Sequence, residues 1–285
     1  MTITIAGAAG QLGAAVIDGL LDTVPAADVI ALVRTDERGA ELAARGVTVR
    51  VADYDDAPAV TAALADADRF LLISGSAVGR RFEQHRRLID AAVAGGASLI
   101  AYTSVLSATG SINPVAPEHQ QTEAYLAEVG VPHVLLRNGW YSENYAPTVE
   151  QASATGVLLT SAGDGRVASA SRADYAGAAV AVLTTDGHAG RTYELSGDLA
   201  WTQDELAATI AEVTGKPVAV QQVSGAEQQA ALVAAGLPDG VAGFVVGVDA
   251  AIAKGELGLV TGDLSALLGH PTTPLADTLK AVVAS

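Results

Sequence analysis

Thr2-Ile3-Thr4-Ile5-Ala6-Gly7-Ala8-Ala9-Gly10-Gln11-Leu12-Gly13 is the stretch on which the fold turns. β-branched residues fill its first part, and glycines then arrive at positions 7, 10 and 13. Beyond them Leu12, Val16, Ile17, Leu20 and Leu21 recur at helical spacing. A strand, a glycine turn and an amphipathic helix in immediate succession open a βαβ unit.

Outward from this opening the same rhythm continues. Val29–Val33, Val47–Val51, Phe70–Ser74, Leu99–Ser104 and His133–Arg137 read as strands, and Leu88, Ile89, Ala92 and Val93 form one of the helical stripes between them. The strand candidates are mostly apolar rather than alternating, as in strands buried on both faces of a parallel sheet. Alternating strands and helices imply right-handed crossovers, and the expected fold is α/β, a doubly wound parallel (Rossmann) sheet. Near residue 150 the rhythm changes, so residues 1–150 are expected to form the main domain and 151–285 a smaller α+β lobe on the substrate side. Gly163-Asp164-Gly165 between Val157–Thr160 and Val167–Ala170 predicts a hairpin. Ser171 with Asp174, Thr202 with Glu205, and Ser224 with Glu227 predict capping boxes. Thr192–Leu195 is expected to return to the main sheet.

The 285 residues are 50% hydrophobic and 17% charged, which argues against disorder and for a large core. Sixteen basic against 32 acidic residues give a net charge of −16, so nucleic acid and anionic lipid are expected to be repelled. The absence of cysteine excludes disulfides, thiolate nucleophiles and cysteine-ligated metals. No apolar stretch reaches the length of a membrane span, and the chain enters a β-like segment without a basic n-region, so no signal peptide is expected. The chain is expected to be cytoplasmic.

The glycine turn is suited to a dinucleotide. Gly7 permits the tight turn, Gly10 allows a pyrophosphate close to the backbone, and Gly13 allows helix and strand to pack. The N–H groups of the helix's first turn, Gln11 and Leu12 included, then face the phosphates with the favourable end of the helix dipole. At the tip of the second strand an acidic residue would select NAD through the free 2′-hydroxyl. Ala31-Leu32-Val33 is followed instead by Arg34, a fork of donors suited to a 2′-phosphate, so NADPH is expected as cofactor, with NADH weaker. Asp53 follows the third strand and either contacts adenine or caps the next helix. Ser74, Gly75 and Ser76 follow the fourth with small residues that let a ribose pass. Arg80, Arg81, Arg86 and Arg87 are expected on a solvated helix face.

Some chemistry is absent. The Tyr-x-x-x-Lys pair of short-chain dehydrogenases needs a lysine four residues after a tyrosine, but the three lysines are Lys216, Lys254 and Lys280 and none is so placed. His119-Gln120-Gln121-Thr122-Glu123 occupies the region where that pair is expected. There is no Gly-x-Ser-x-Gly elbow, no His-Glu-x-x-His, and no P-loop lysine.

Several motifs resemble the NmrA-like atypical short-chain dehydrogenases: Gly7–Gly13, Arg34, Ala52-Asp53-Tyr54 and Ala101-Tyr102-Thr103-Ser104. Arg137-Asn138-Gly139-Trp140-Tyr141-Ser142-Glu143-Asn144-Tyr145, Ala162-Gly163-Asp164-Gly165, Ser171-Arg172-Ala173-Asp174-Tyr175 and Gly269-His270-Pro271-Thr272-Thr273 narrow the likeness. Together they resemble the bacterial NAD(P)H:quinone oxidoreductase type 2 family, nearly end to end. The resemblance implies an NADPH-binding domain, a small C-terminal lobe and a quinone in the cleft between them. Ala6 and Ala9 stand where that family commonly has threonines, which removes hydroxyl contacts to phosphate. The expected cofactor-binding set is Gly7, Ala9, Gly10, Gln11, Leu12, Gly13, Arg34, Asp53, Ser74, Gly75, Ser76, Thr103 and Asn138. Tyr141 or Asn144 is expected to hydrogen-bond a quinone oxygen, and His119 either relays a proton or is a surface or structural histidine. A homodimer is among the assemblies the sequence allows.

Quinone reduction suits a chain without a Tyr–Lys pair. Hydride addition to a ketone leaves an alkoxide whose conjugate acid is about as weak as water, with a pKa of ~15.7. Addition to a quinone leaves a phenolate-like anion with a pKa of about 10, which lowers the need for proton donation by on the order of 8 kcal/mol. Cationic dyes need still less. Two alternatives therefore stand beside the quinone: reduction of triphenylmethane-type dyes or other xenobiotics, and a non-catalytic NADP(H) redox sensor.

Overall fold

The computed structural model describes residues 1–284, which form two compact units. The first comprises Met1–Ala108, Pro117–Asn138 and Arg172–Glu194; the second comprises Thr109–Ala116, Gly139–Ser171 and the described residues from Leu195 onward. The change of rhythm predicts a boundary near residue 150 with a return to the main sheet at 192–195. The first unit takes more of the second half than that strand, since residues 172–194 belong to it, and residues 109–116 of the first half belong to the second unit.

In the first unit the strands are β1 (Ile3–Ala6), β2 (Val29–Val33), β3 (Thr48–Val51), β4 (Arg69–Leu72), β5 (Leu99–Val105) and β6 (His133–Asn138). Between them run α1 (Gln11–Leu21), α2 (Asp36–Ala44), α3 (Ala57–Ala63), α4 (Arg81–Ala94) and α5 (Ala116–Val129). Later in the chain come α6 (Ala146–Thr155), β7 (Val157–Thr160), α7 (Arg172–Thr184) and β8 (Thr192–Leu195). The seven-stranded sheet has the order β3-β2-β1-β4-β5-β6-β8. Successive pairs from β3 to β6 are parallel. Leu135 N–H donates to Arg191 O and Gly139 N–H to Leu195 O, so β8 runs the same way. This is the doubly wound sheet the sequence predicts, with the late strand at 192–195 on its edge.

The order reverses between β1 and β4: the chain winds outward from β1 to β3, then returns to pair β4 with β1. Ligands of such sheets bind at the carboxyl ends of the strands flanking that reversal. The sheet is fixed by burial on both faces. Leu32, Phe70, Leu72, Ile100 and Tyr102 pack with Val60, Leu64, Leu88 and Ile89 in one cluster. On α1, Val16, Ile17 and Leu20 are wholly buried, and truncating one such residue to alanine costs about 2–5 kcal/mol. Strand β4 ends at Leu72 rather than the expected Ser74, because the Ser74 N–H leaves the ladder for the Thr103 hydroxyl at 2.9 Å.

The second unit contains α6 and β7, then α8 (Gln203–Thr214), β9 (Ala219–Gln222), α9 (Gly225–Ala234), α10 (Asp239–Ala253), α11 (Asp263–Leu268) and α12 (Leu275–Ala284). Tyr145, Val149, Leu158, Trp201, Ile210, Ile252 and Leu279 form its core. Thr202 with Glu205 and Ser224 with Glu227 make the expected capping boxes. The expected hairpin does not form, since β7 pairs in parallel with β9. Past the Gly163-Asp164-Gly165 turn, Val167 exchanges hydrogen bonds with Trp201 and Ala168 donates to Leu257 O, which draws the chain away from β7. Among the described residues no helix is long and apolar enough to cross a membrane.

Candidate active site

The turn after β1 is built from its glycines. Gly7 has φ +77°, in the region that favours glycine, and its carbonyl accepts from Gly10 N–H at 2.9 Å. A Cβ on Gly13 would lie 2.3 Å from Gly7 O, so only glycine lets α1 start this close to the turn. Gly10 caps α1 without a side-chain hydrogen bond, and the first turn carries no acidic residue. The helix therefore presents bare N–H groups and the positive end of its dipole. Gly10 and Gln11 are exposed there, Ala9 is half-buried, and Leu12 and Gly13 are buried. This cradle fits a dinucleotide diphosphate, and among the described residues no cluster suits a metal ion.

One contact here was not legible in the sequence. The Gly7 N–H donates to the Tyr54 hydroxyl at 2.7 Å, and the Arg34 guanidinium lies 5.4 Å from the centroid of the same ring. Tyr54 is buried, which raises its pKa, so the phenol stays protonated. A single aromatic residue thus ties the glycine turn to the cationic tip of β2. Its signal was a large aromatic inside the polar run Asp53-Tyr54-Asp55-Asp56. Arg34 itself is exposed. Asp53 does not cap α3: Asp56 does, accepting from Ala59 N–H, while Asp53 accepts from Asp55 N–H in a local turn.

The expected solvated arginine face is only partly so. Arg80 and Arg87 pair with Asp55, and Arg86 pairs with Glu83. Arg81 is 6% exposed, and its Nε donates to Gly75 O at 2.6 Å. It lies inward because Arg81, His85, Leu88 and Ala92 share one face of α4, at helical spacing. That stripe was visible in the sequence, but its first two members are polar.

Where the Tyr–Lys pair is absent, the structure places buried polar side chains. His119 Nδ1 lies 2.7 Å from the Tyr102 hydroxyl. Burial and the nearby Arg81 charge push His119 down to about 3, so its ring is neutral at physiological pH. Glu123 takes Arg137 Nε and Nη2 at 2.9 and 2.6 Å and the Ser104 hydroxyl. Arg137 also reaches Glu194, whose other oxygen holds the N–H of Ser107, with φ +52°. The Thr103 hydroxyl is occupied in holding Ser74, and Asn138, buried at the end of β6, accepts from Leu106 N–H.

The first unit thus gathers Gly7–Gly13, Arg34, Ser74–Ser76 and Thr103 at the carboxyl ends of β1, β2, β4 and β5. Tyr141 and Asn144 belong to the second unit. Both are half-buried, and Asn144 N–H donates to Tyr141 O at 3.0 Å in a short turn. Trp140 packs against the second unit's core, as a single aromatic commonly does.

Residues 1–247 match the NmrA-like family. Over 278 residues, 98% of this chain and 97% of the relative, the chain is 50% identical to quinone oxidoreductase 2 of Escherichia coli. It resembles the crystal structure of NADPH-dependent quinone oxidoreductase from Escherichia coli complexed with NADPH. The TM-score is 0.96 at 48% identity, covering 99% of this chain and 100% of that one. Triphenylmethane reductase of Citrobacter sp. complexed with NADP(H) gives a TM-score of 0.94 at 38% identity, with 99% and 100% covered. The glycine turn, the arginine at the tip of β2 and these likenesses agree: this chain belongs to the NmrA-like family, and within it to the NAD(P)H:quinone oxidoreductase type 2 line.

Proposed function

We propose that this chain is an NADPH-dependent oxidoreductase that reduces quinones to hydroquinones. The observation that carries the reading is the uncapped start of α1 behind Gly7, Gly10 and Gly13, with Arg34 seated on Tyr54 beside it. It is supported by half-identity, along nearly the whole chain, to a quinone oxidoreductase. Bound NADPH supplies a hydride, and the quinone takes that hydride and one proton to become the hydroquinone.

The residues' tasks follow from their chemistry. The N–H groups of Gln11, Leu12 and Gly13 hold the diphosphate, with Ala9 and Gly10 leaving room for it. Arg34 holds the 2′-phosphate by charge and by its planar donors. Asp53 lies at the adenine side, and Ser74, Gly75, Ser76, Thr103 and Asn138 line the ribose and nicotinamide side. Tyr141 and Asn144 orient a quinone oxygen. His119, being neutral, moves a proton only by taking it at one ring nitrogen and releasing one at the other. The hydroquinone anion is stable enough that this exchange assists turnover without being essential to it. Holding both reactants in near-attack geometry is then the main contribution of the protein.

The test is NADPH oxidation against a panel of quinones and cationic dyes. Saturable quinone turnover supports the reading, and NADPH binding without turnover of any acceptor defeats it. A second reading, dye reduction, is favoured by the likeness to triphenylmethane reductase; faster turnover of a triphenylmethane dye than of every quinone would establish it.

A further inference from the structure

A group of buried polar side chains without a task in this reaction lies around Gly75. The Gly75 N–H donates to His85 Nε2 at 3.1 Å, and the Gly75 carbonyl accepts from Arg81 Nε at 2.6 Å. Together with the Ser74 N–H on Thr103, three backbone groups of this short loop are each held by a buried side chain. We propose that Arg81 and His85 are positioning residues for the coenzyme: they lock the backbone of Gly75 on both sides, so that the Ser74–Ser76 loop meets the dinucleotide already formed. The proposal rests on the NADPH-binding reading above.

The hydrogen bonds run in one direction. Because His85 Nε2 accepts, the ring proton sits on Nδ1, which donates to the Thr122 hydroxyl at 3.0 Å. That hydroxyl in turn donates to Glu118 O at 2.8 Å. The chain therefore ends on the backbone of α5, and only the neutral Nδ1–H tautomer satisfies every member. The start of α4 is tied to α5 as well. The Glu118 carboxylate accepts from Gly79 and Arg81 N–H at 3.1 and 3.0 Å, which fixes the turn that bears Arg81.

Glycine at position 75 makes these holds consequential. Its φ is not left-handed, and a Cβ there would meet only Gln84 Oε1 at 3.8 Å and His85 Nε2 at 3.9 Å, ordinary contacts. Nothing inside the fold requires glycine, yet glycine brings the greatest backbone freedom. Two clamps remove that freedom. Arg81 Nη1 is buried without a hydrogen-bond partner, so the arginine is held inward by its bond to Gly75 and by Glu118 at 4.0 Å. Without the clamps, coenzyme would bind only the fraction of molecules with the loop formed, and its apparent affinity would fall by that fraction.

The test uses the full chain and NADPH. His85→Leu removes the acceptor, whereas His85→Gln keeps an oxygen at similar reach. We expect His85→Leu to raise the calorimetric Kd for NADPH about tenfold, about 1.4 kcal/mol, with kcat at saturating NADPH within about twofold of the parent. His85→Gln should recover most of the affinity. The 15N shifts of the parent protein's His85 should report the Nδ1–H tautomer. An unchanged Kd in a folded His85→Leu variant, or no recovery in His85→Gln, would overturn the proposal. So would an Nε2–H tautomer, which remains readable if His85→Leu fails to fold. Absence of quinone turnover in a protein that binds NADPH would overturn the proposed acceptor alone and leave the Kd comparison in force.

Discussion

Tyr54→Phe isolates the link between the glycine turn and the tip of β2. It removes only the hydroxyl that accepts the Gly7 N–H at 2.7 Å and keeps the ring under Arg34. A partly buried N–H left without its acceptor costs about 1–3 kcal/mol. The site is only part-buried, so water recovers some of this, and a loss of about 1–2 kcal/mol is expected. At this chain length that lowers Tm by roughly 2–3 °C. The looser turn should weaken NADPH and NADH alike, by up to about five- to thirtyfold, since each tenfold is about 1.4 kcal/mol. Their affinity ratio should hold within about twofold, because the cation–ring contact, worth about 0.5–1 kcal/mol, survives. Thermal unfolding and calorimetry with both coenzymes read these quantities. Tighter NADPH binding would refute the reasoning, since it would mean that a freed Gly7 N–H serves the diphosphate better than Tyr54 serves the turn.

Two further outcomes follow from the same geometry. Arg34→Glu should weaken NADPH by about 10- to 100-fold or more, the scale of a lost charge-assisted bond, and NADH far less; equal losses in paired titrations would remove Arg34 from the 2′-phosphate. His85 and His119 are both held neutral, at about 3 against an ordinary 6.5, by burial first and by Arg81 next. The unfolded chain therefore binds the extra protons between these values. Stability is complete above pH 6.5 and falls as the pH drops towards 3, by up to about 1.4 kcal/mol per pH unit for each ring. His85→Gln should show a smaller drop in Tm between pH 7 and pH 5 than the parent, and identical drops would place the titration elsewhere.

The sequence carried the sheet because the sheet rests on local signals. β-branched runs, the glycines at 7, 10 and 13 and the stripe from Leu12 to Leu21 each read correctly by themselves, and they agree. Arg34 was legible for the same reason, since its place follows from counting to the end of β2. What stayed hidden depends on long-range placement. Tyr54 meets Gly7 across 47 residues, and His85 meets Thr122 across 37, with no local trace of either bond. Arg81 is buried although a charge favours solvent, because the face it shares with Leu88 and Ala92 decides its burial. The hairpin expected around Gly163-Asp164-Gly165 failed where a turn signal was strong but the partner strand lay elsewhere, at Ala219–Gln222. Asp53 was the cap the sequence suggested for α3, but Asp56, three residues nearer the helix, is the one whose carboxylate reaches Ala59 N–H.

The start of α1 and Arg34 are proposed to hold NADPH so that a quinone can take its hydride. Initial rates of reduced-nicotinamide loss, with and without 1,4-benzoquinone, test it most directly. Oxidation should saturate in both NADPH and quinone and fall steeply in Arg34→Glu. Loss no faster with protein than in buffer, from a preparation shown by calorimetry to bind NADPH, would contradict it.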